Sequence, residues 1–119
     1  MRKFILLAAF AATGALAAAA AGAGGVTIHV HPSSVHRGHV AHLFGVVPGC
    51  QGGVTLLSRA FSHKQDFAGL PAITAPVDTQ GKYSVYTRIP ANRKPQKYSI
   101  SGRCGGGNIG VFASITVLA

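Results

Sequence analysis

Five histidines, His29, His31, His36, His39 and His42, fall within fourteen residues. Imidazoles held a few ångströms apart can ligate Zn²⁺ or Cu²⁺, with water or chloride completing the shell. If two strands pair through a loop centred near Val35 and His36, His29 stands almost opposite His42 on an outer sheet face, with Cβ atoms about 5 Å apart. His31 is then a diagonal neighbour. His29, His31 and His42 are therefore the candidate metal ligands. No carboxylate lies near them in sequence, although a ligating imidazole normally gives its second N–H to such a group. The competing reading is a set of solvated histidines on an outward face.

Other chemistry is harder to place. Asp66 and Asp78 are the only acids in the chain. General acid and base work by two carboxylates requires them to converge, whereas one reads as a loop residue and the other as lying near the opposite end of the body. No Gly-x-Ser-x-Gly turn frames a serine nucleophile. Gly105, Gly106 and Gly107 lack the following helix whose aligned N–H groups would hold a phosphate. No enzyme class is legible in these residues. Cys50 and Cys104 are the only cysteines, and neither has the C-x-x-C or histidine spacing of a redox or metal site. In an exported chain two cysteines are expected to join as a disulfide.

Export itself is read from the first residues. Arg2 and Lys3 precede an apolar run from Phe4 to Phe10 and an alanine-rich stretch that ends in Ala21-Gly22-Ala23, the pattern of a secretory signal over residues 1–23. An uncleaved membrane anchor is the alternative, since residues 4–23 match the length of a spanning helix. Thr13, Gly14 and the missing stop-transfer charge favour cleavage, which would leave no membrane span. Residues 24–119 then form one domain of 96 residues, with nine Lys and Arg against two acids and a net charge of +7. Such a balance favours polyanionic surroundings: acidic wall polymers, anionic lipid or nucleic acid.

The elements that must position these residues are strands. After the leader, short alternating apolar runs recur between Gly, Pro, Asn and Ser clusters, and no stretch has helical spacing. Seven strands are predicted: A over Val26 to His31, B over Val40 to Val47, C over Val54 to Ala60, D over Ile73 to Val77, E over Lys82 to Ile89, F over Lys97 to Arg103 and G over Gly110 to Leu118. Alternation turns Val26, Ile28, Val30, Ala41, Leu43, Val54, Leu56, Tyr83, Val85, Ile89, Tyr98, Ile100, Val111, Ala113, Ile115 and Val117 inward. The fold expected is all-β, an immunoglobulin-like antiparallel sandwich of two sheets. In that order of strands Cys50, after B, and Cys104, after F, share one end. The A–B, C–D and E–F loops share the other, with Arg37, Lys64, Arg93, Lys94 and Lys97 beside His36, His39 and His63. Those five cations are the candidate anion-binding residues. Loops are polar in any case, and ordinary solvated loop cations are the plainer reading.

Taken together, Val26 to Val35 (VTIHVHPSSV) with Gly38, Cys50 to Phe61 (CQGGVTLLSRAF), Gly81-Lys82-Tyr83 and Tyr98 to Gly106 (YSISGRCGG) resemble small secreted immunoglobulin-like domains of Gram-positive bacteria. The resemblance implies a disulfide-bridged sandwich of the cell exterior, with no enzymatic activity attached to the pattern. Fold alone assigns no task. The chain departs from many such domains in its histidines and in stopping at Ala119, directly after G.

The functional expectation is a non-catalytic module, secreted or in the cell envelope, that binds an anionic cell-wall polymer or another envelope protein through its cationic loops. A histidine-based Zn or Cu protein, or a spacer without a small ligand, are the alternatives. Specific nucleic-acid binding is not expected, because Tyr86 and Phe112 are not interleaved with the cations as single-strand binding requires.

Overall fold

A computed structural model describes residues 25–119. The leader expected over residues 1–23 lies outside the described residues, so the structure bears on the domain alone. Ten strands make up that domain: β1 (His29–His31), β2 (Ser34–His36), β3 (Val40–Val46), β4 (Gly53–Leu57), β5 (Asp66–Phe67), β6 (Leu70–Pro76), β7 (Lys82–Arg88), β8 (Lys97–Cys104), β9 (Gly107–Asn108) and β10 (Ala113–Leu118). They form two sheets. The smaller is β1-β3-β7, and the larger runs β2-β10-β8-β4-β6-β5 with β9 attached to β8. Among the described residues there is no helix, and none long and apolar enough to cross a membrane.

Alternation explains how the sheets meet. In β3 positions 41, 43 and 45 (Ala41, Leu43 and Gly45) are buried while Val40 faces solvent, and β8 buries Tyr98, Ile100 and Gly102 in the same rhythm. Leu43, Leu56, Ile89, Ile100 and Ile115 meet as a fully buried core between the sheets. Every residue expected to face inward is either in that core or packed against it.

Strand A differs from expectation because it divides. β1 pairs antiparallel with β3, but Pro32 carries no amide donor and ends that pairing. The chain then crosses to the larger sheet, where β2 lies parallel to β10 with Val35 opposite Val117. Val35, expected in a loop, is buried, and the sandwich is not antiparallel throughout.

Strand D also differs: β6 begins at Leu70, pairs with β4 and holds β5 on its other side. Ala68 and Gly69 connect β5 to β6 with φ of 55° and 85°, the two-residue turn with positive φ at both positions that suits the twist of a hairpin. Strand C stops at Leu57, where the Ser58 carbonyl accepts from the Phe61 N–H (3.1 Å) and its hydroxyl from the Ala60 N–H (3.1 Å). That turn drives Phe61 fully into the core. Phe67 instead lies half-buried beneath the Arg103 guanidinium, 5.1 Å from its ring centre.

The bridge forms as expected, with Cys50 and Cys104 at a Cα separation of 5.9 Å. Such links persist in an oxidising compartment. Closing a loop between residues 54 apart in the unfolded chain is worth about 4 kcal/mol in the chain-entropy treatment.

Near the same end Tyr83 closes the core. Its hydroxyl donates to the Thr27 carbonyl (2.9 Å), a contact that only a glycine at position 45 permits, since a Cβ there would strike the Thr27 carbonyl oxygen. Burial pushes the Tyr83 phenol up to about 12 from its ordinary 10.0. The unfolded chain therefore loses this proton first, and the stability the neutral phenol confers is complete below pH 10 and lost between pH 10 and about 12. Urea unfolding across that window will show a steeper fall for the native chain than for Tyr83→Phe, which has no proton to lose.

Candidate functional site: a cationic end opposite the disulfide

Register alone sorts the loops. Val46 pairs with Lys82 and Val54 with Cys104, so one end of the body carries the bridge. Val40 pairs with Arg88 and Leu57 with Ser101, which places the β2–β3, β4–β5 and β7–β8 connections at the other. Arg37, Lys64, Arg93, Lys94 and Lys97 all belong to that second end. Arg59 and Arg88 join them, so seven of the nine described Lys and Arg lie there.

Backbone contacts hold these connections together. The Gly38 N–H donates to the Ile89 carbonyl (2.8 Å) and the Ile89 N–H to the His39 carbonyl (2.9 Å). The Arg37 N–H donates to the Leu118 carbonyl (3.0 Å), and the Val117 N–H to that of Gln96 (2.8 Å). Tyr98 gives its hydroxyl proton to the Lys94 carbonyl (2.7 Å). These bonds engage main chain, leaving the side chains of Arg37, Lys64, Lys94 and Lys97 exposed.

Arg93 has a different role. It is half-buried, and its Nη2 donates to the Phe61 carbonyl at 2.6 Å, joining the β7–β8 connection to the β4–β5 connection. It positions the site's loops rather than presenting its charge. Arg59 and Arg88 were not anticipated from sequence: Arg59 was placed inside strand C, and Arg88 was counted as a strand residue although alternation sets it outward at the loop end. The Arg88 Nη1 donates to the Gly38 carbonyl (2.6 Å), which aims its chain along this end.

Acidic neutralisation is sparse. Among the described residues the one ion pair is His63 Nδ1 with Asp66 Oδ1, at 2.9 Å, and no carboxylate pairs with a Lys or Arg. Asp78 lies at the disulfide end, where the Lys82 and Gln80 amides donate to it (2.9 and 2.8 Å) and hold its carboxyl below the usual value. The two carboxylates thus sit at opposite ends of the domain, and each already has partners.

The histidines distribute differently from the expected register. His31, not His29, stands opposite His42, while His29 faces Phe44. The ladder is shifted because β1 ends at Pro32 instead of running through a hairpin to β3. Rings then stack in sequence: His29 on Phe44 (5.2 Å between centres), Phe44 on His42 (4.8 Å) and His42 on Tyr86 (4.3 Å, 10° between planes). His42 Nε2 also meets the Ser84 hydroxyl at 2.6 Å. His29, His31 and His42 share the outer face of the smaller sheet without converging on one point, and no group of three His, Cys, Asp or Glu among the described residues is placed to hold a metal. His36 and His39 belong to the cationic end, their rings 5.9 Å apart.

Tyr86 is 67% exposed. It lies beside Arg88 and Lys64, around an opening of about 570 Å³ between β6 and β7. An aromatic ring is therefore next to the cations after all.

No family model matches the chain, and no curated protein matches it. Among solved structures it is similar to one titled "1.4 Angstrom resolution crystal structure of uncharacterized protein from Bacillus anthracis str. Ames", with 14% identity, a TM-score of 0.40, and coverage of 71% of this chain and 75% of that one. Residue roles at the cationic end are separable by substitution. Arg93→Ala will cost about 1.5–3 kcal/mol in urea unfolding, because it frees a buried carbonyl from a charged donor. Lys94→Ala will stay within about 0.5 kcal/mol, as expected of a solvated side chain.

Proposed function

We propose that this chain is a non-catalytic, immunoglobulin-like module of the cell exterior whose cationic end holds an anionic polymer of the envelope. The observation that carries the reading is the segregation of charge: seven of nine described cations at one end, with a single acidic side chain there, Asp66, already bonded to His63. A field of one sign concentrated on one end draws a polyanion toward it and orients the bound domain. The strand order supports the immunoglobulin-like assignment. The third, sixth and seventh predicted strands (β4, β8 and β10) lie side by side in one sheet and the first, second and fifth (β1, β3 and β7) in the other, the division of strands that such domains use. The placement of Asp66 and Asp78 at opposite ends supports a binding role over acid–base catalysis.

Phosphate-rich wall polymer is the ligand this chemistry favours. Exposed lysines on loops meet a flexible chain of phosphates as point charges and need no rigid pocket. The signal-like pattern of residues 1–23 and the Cys50–Cys104 bridge support that location. In a sedimentation assay on isolated cell walls, the domain will be retained at low ionic strength and released as NaCl approaches about 1 M, where screening shortens the reach of a charge to about 3 Å. Lys94→Gln with Lys97→Gln will lower the salt needed for release. Retention unchanged by salt, or by stripping phosphate polymers from the wall, contradicts the proposal.

A further inference from the structure

The smaller sheet ends on β7, and among the described residues no strand pairs with its outer edge. The Val47 N–H donates to the Gly81 carbonyl (2.7 Å) and the Ile89 N–H to that of His39 (2.9 Å), so the odd-numbered residues along β7 bond to β3. By alternation the N–H and C=O groups of Ser84, Tyr86 and Arg88 point away, into the open side. Lys82 is closed off: its N–H donates to Asp78 Oδ1 (2.9 Å) and its carbonyl accepts from the Asp78 N–H (3.0 Å). The open run therefore spans residues 84–88.

The facing edge, on β6, is treated quite differently. The Ala72 N–H donates to the Gln65 carbonyl (2.9 Å), the Thr74 N–H to Gln65 Oε1 (3.1 Å), and position 76 is a proline with no N–H at all. One edge is sealed and the other is not. Between them lies the 570 Å³ cleft, with Ala72, Ile73 and Pro90 as its apolar floor and Lys64, Arg88 and Tyr86 around its mouth.

We propose that this cleft receives an extended acidic peptide segment of a partner protein, which adds to β7 as a fourth strand of the smaller sheet. The peptide's main chain bonds to Ser84, Tyr86 and Arg88. Alternate apolar side chains rest on the floor, and carboxylates meet Lys64 and Arg88. Backbone pairing gives the affinity in this mode and the side-chain pockets give the choice of sequence. Charge decides among occupants. A second copy of this domain would bring the same excess of cations, including its own Lys82 and Arg88, against an edge that already carries them, and flanking cations of this kind oppose self-pairing. An acidic strand meets no such repulsion.

The test uses the ¹⁵N-labelled domain with acetyl-Glu-Val-Glu-Val-Glu-amide at millimolar concentration and its Lys-Val counterpart. The acidic peptide is expected to slow hydrogen exchange at Ser84, Tyr86 and Arg88 by at least about tenfold while leaving β1 unaffected, and the basic peptide is expected to do nothing. Tyr86→Pro removes an N–H that does not bond to β3, so the sheet keeps its pairing while the added strand loses a donor. Binding should fall about tenfold in that variant and persist in Tyr86→Ala. Exchange on the unaltered domain decides the matter even if the proline variant does not fold. Unslowed exchange at the three amides, equal effects of the two peptides, or protection that grows with protein concentration and no peptide, which would mean a second copy fills the edge, overturns the proposal. Lys94→Gln with Lys97→Gln should leave peptide binding intact, so a failure of wall binding and a failure here are separately visible.

Discussion

The link between Cys50 and Cys104 is the constraint from which the two ends of this domain take their identity. It joins the turn leaving β3 in one sheet to the end of β8 in the other. Once those points are tied, strand direction leaves little choice: connections that follow β3, β6 and β8 gather near the sulfurs, and those that follow β2, β4 and β7 gather at the far side. The sequence places glycines in the first group and cations in the second. An electrostatic surface therefore arises from topology, without any motif that announces it.

The far end then depends on interactions of quite different reach. Phe61 is buried to nothing in the core, and its carbonyl accepts from Arg93. Apolar packing fixes one connection, and a charged hydrogen bond transfers that order to the next. Arg88 does the same for the β2–β3 connection through the Gly38 carbonyl. Thus two of the seven cations hold the frame, while exposed side chains such as Lys94 and Lys97 keep their charge for solvent or a ligand. Charge count by itself would have merged these roles.

Much of this was legible in the residues. Two-residue alternation is a local property, and it found the inward faces of β3, β4, β7, β8 and β10, including Ile100 and Ile115, though it assigned none to β6. The shared location of the cysteines followed from strand order. What escaped was set by partners far away in sequence. Nothing local to Ser34, Val35 and His36 says that they pair with residues 116–118, so the crossing at Pro32 was missed and the histidine register moved with it. Phe61 read as a loop residue because the Ser58 turn that sends it inward leaves alternation behind. Arg93 carried the signal of a loop cation, and only its half-burial distinguishes it from Lys94. The free edge of β7 had no sequence signal, since the seal on β6 depends on Gln65 reaching across from a neighbouring connection.

Three connections meet at one end of the domain while the cysteines meet at the other, and nuclear Overhauser contacts in the oxidised domain test this most directly. The account predicts cross-peaks joining Phe61 to Arg93 and Gly38 to Ile89, together with contacts between Val54 and Cys104 and none between Phe61 and either cysteine. Cross-peaks from Phe61 or Arg93 to the surroundings of Cys50 would contradict it.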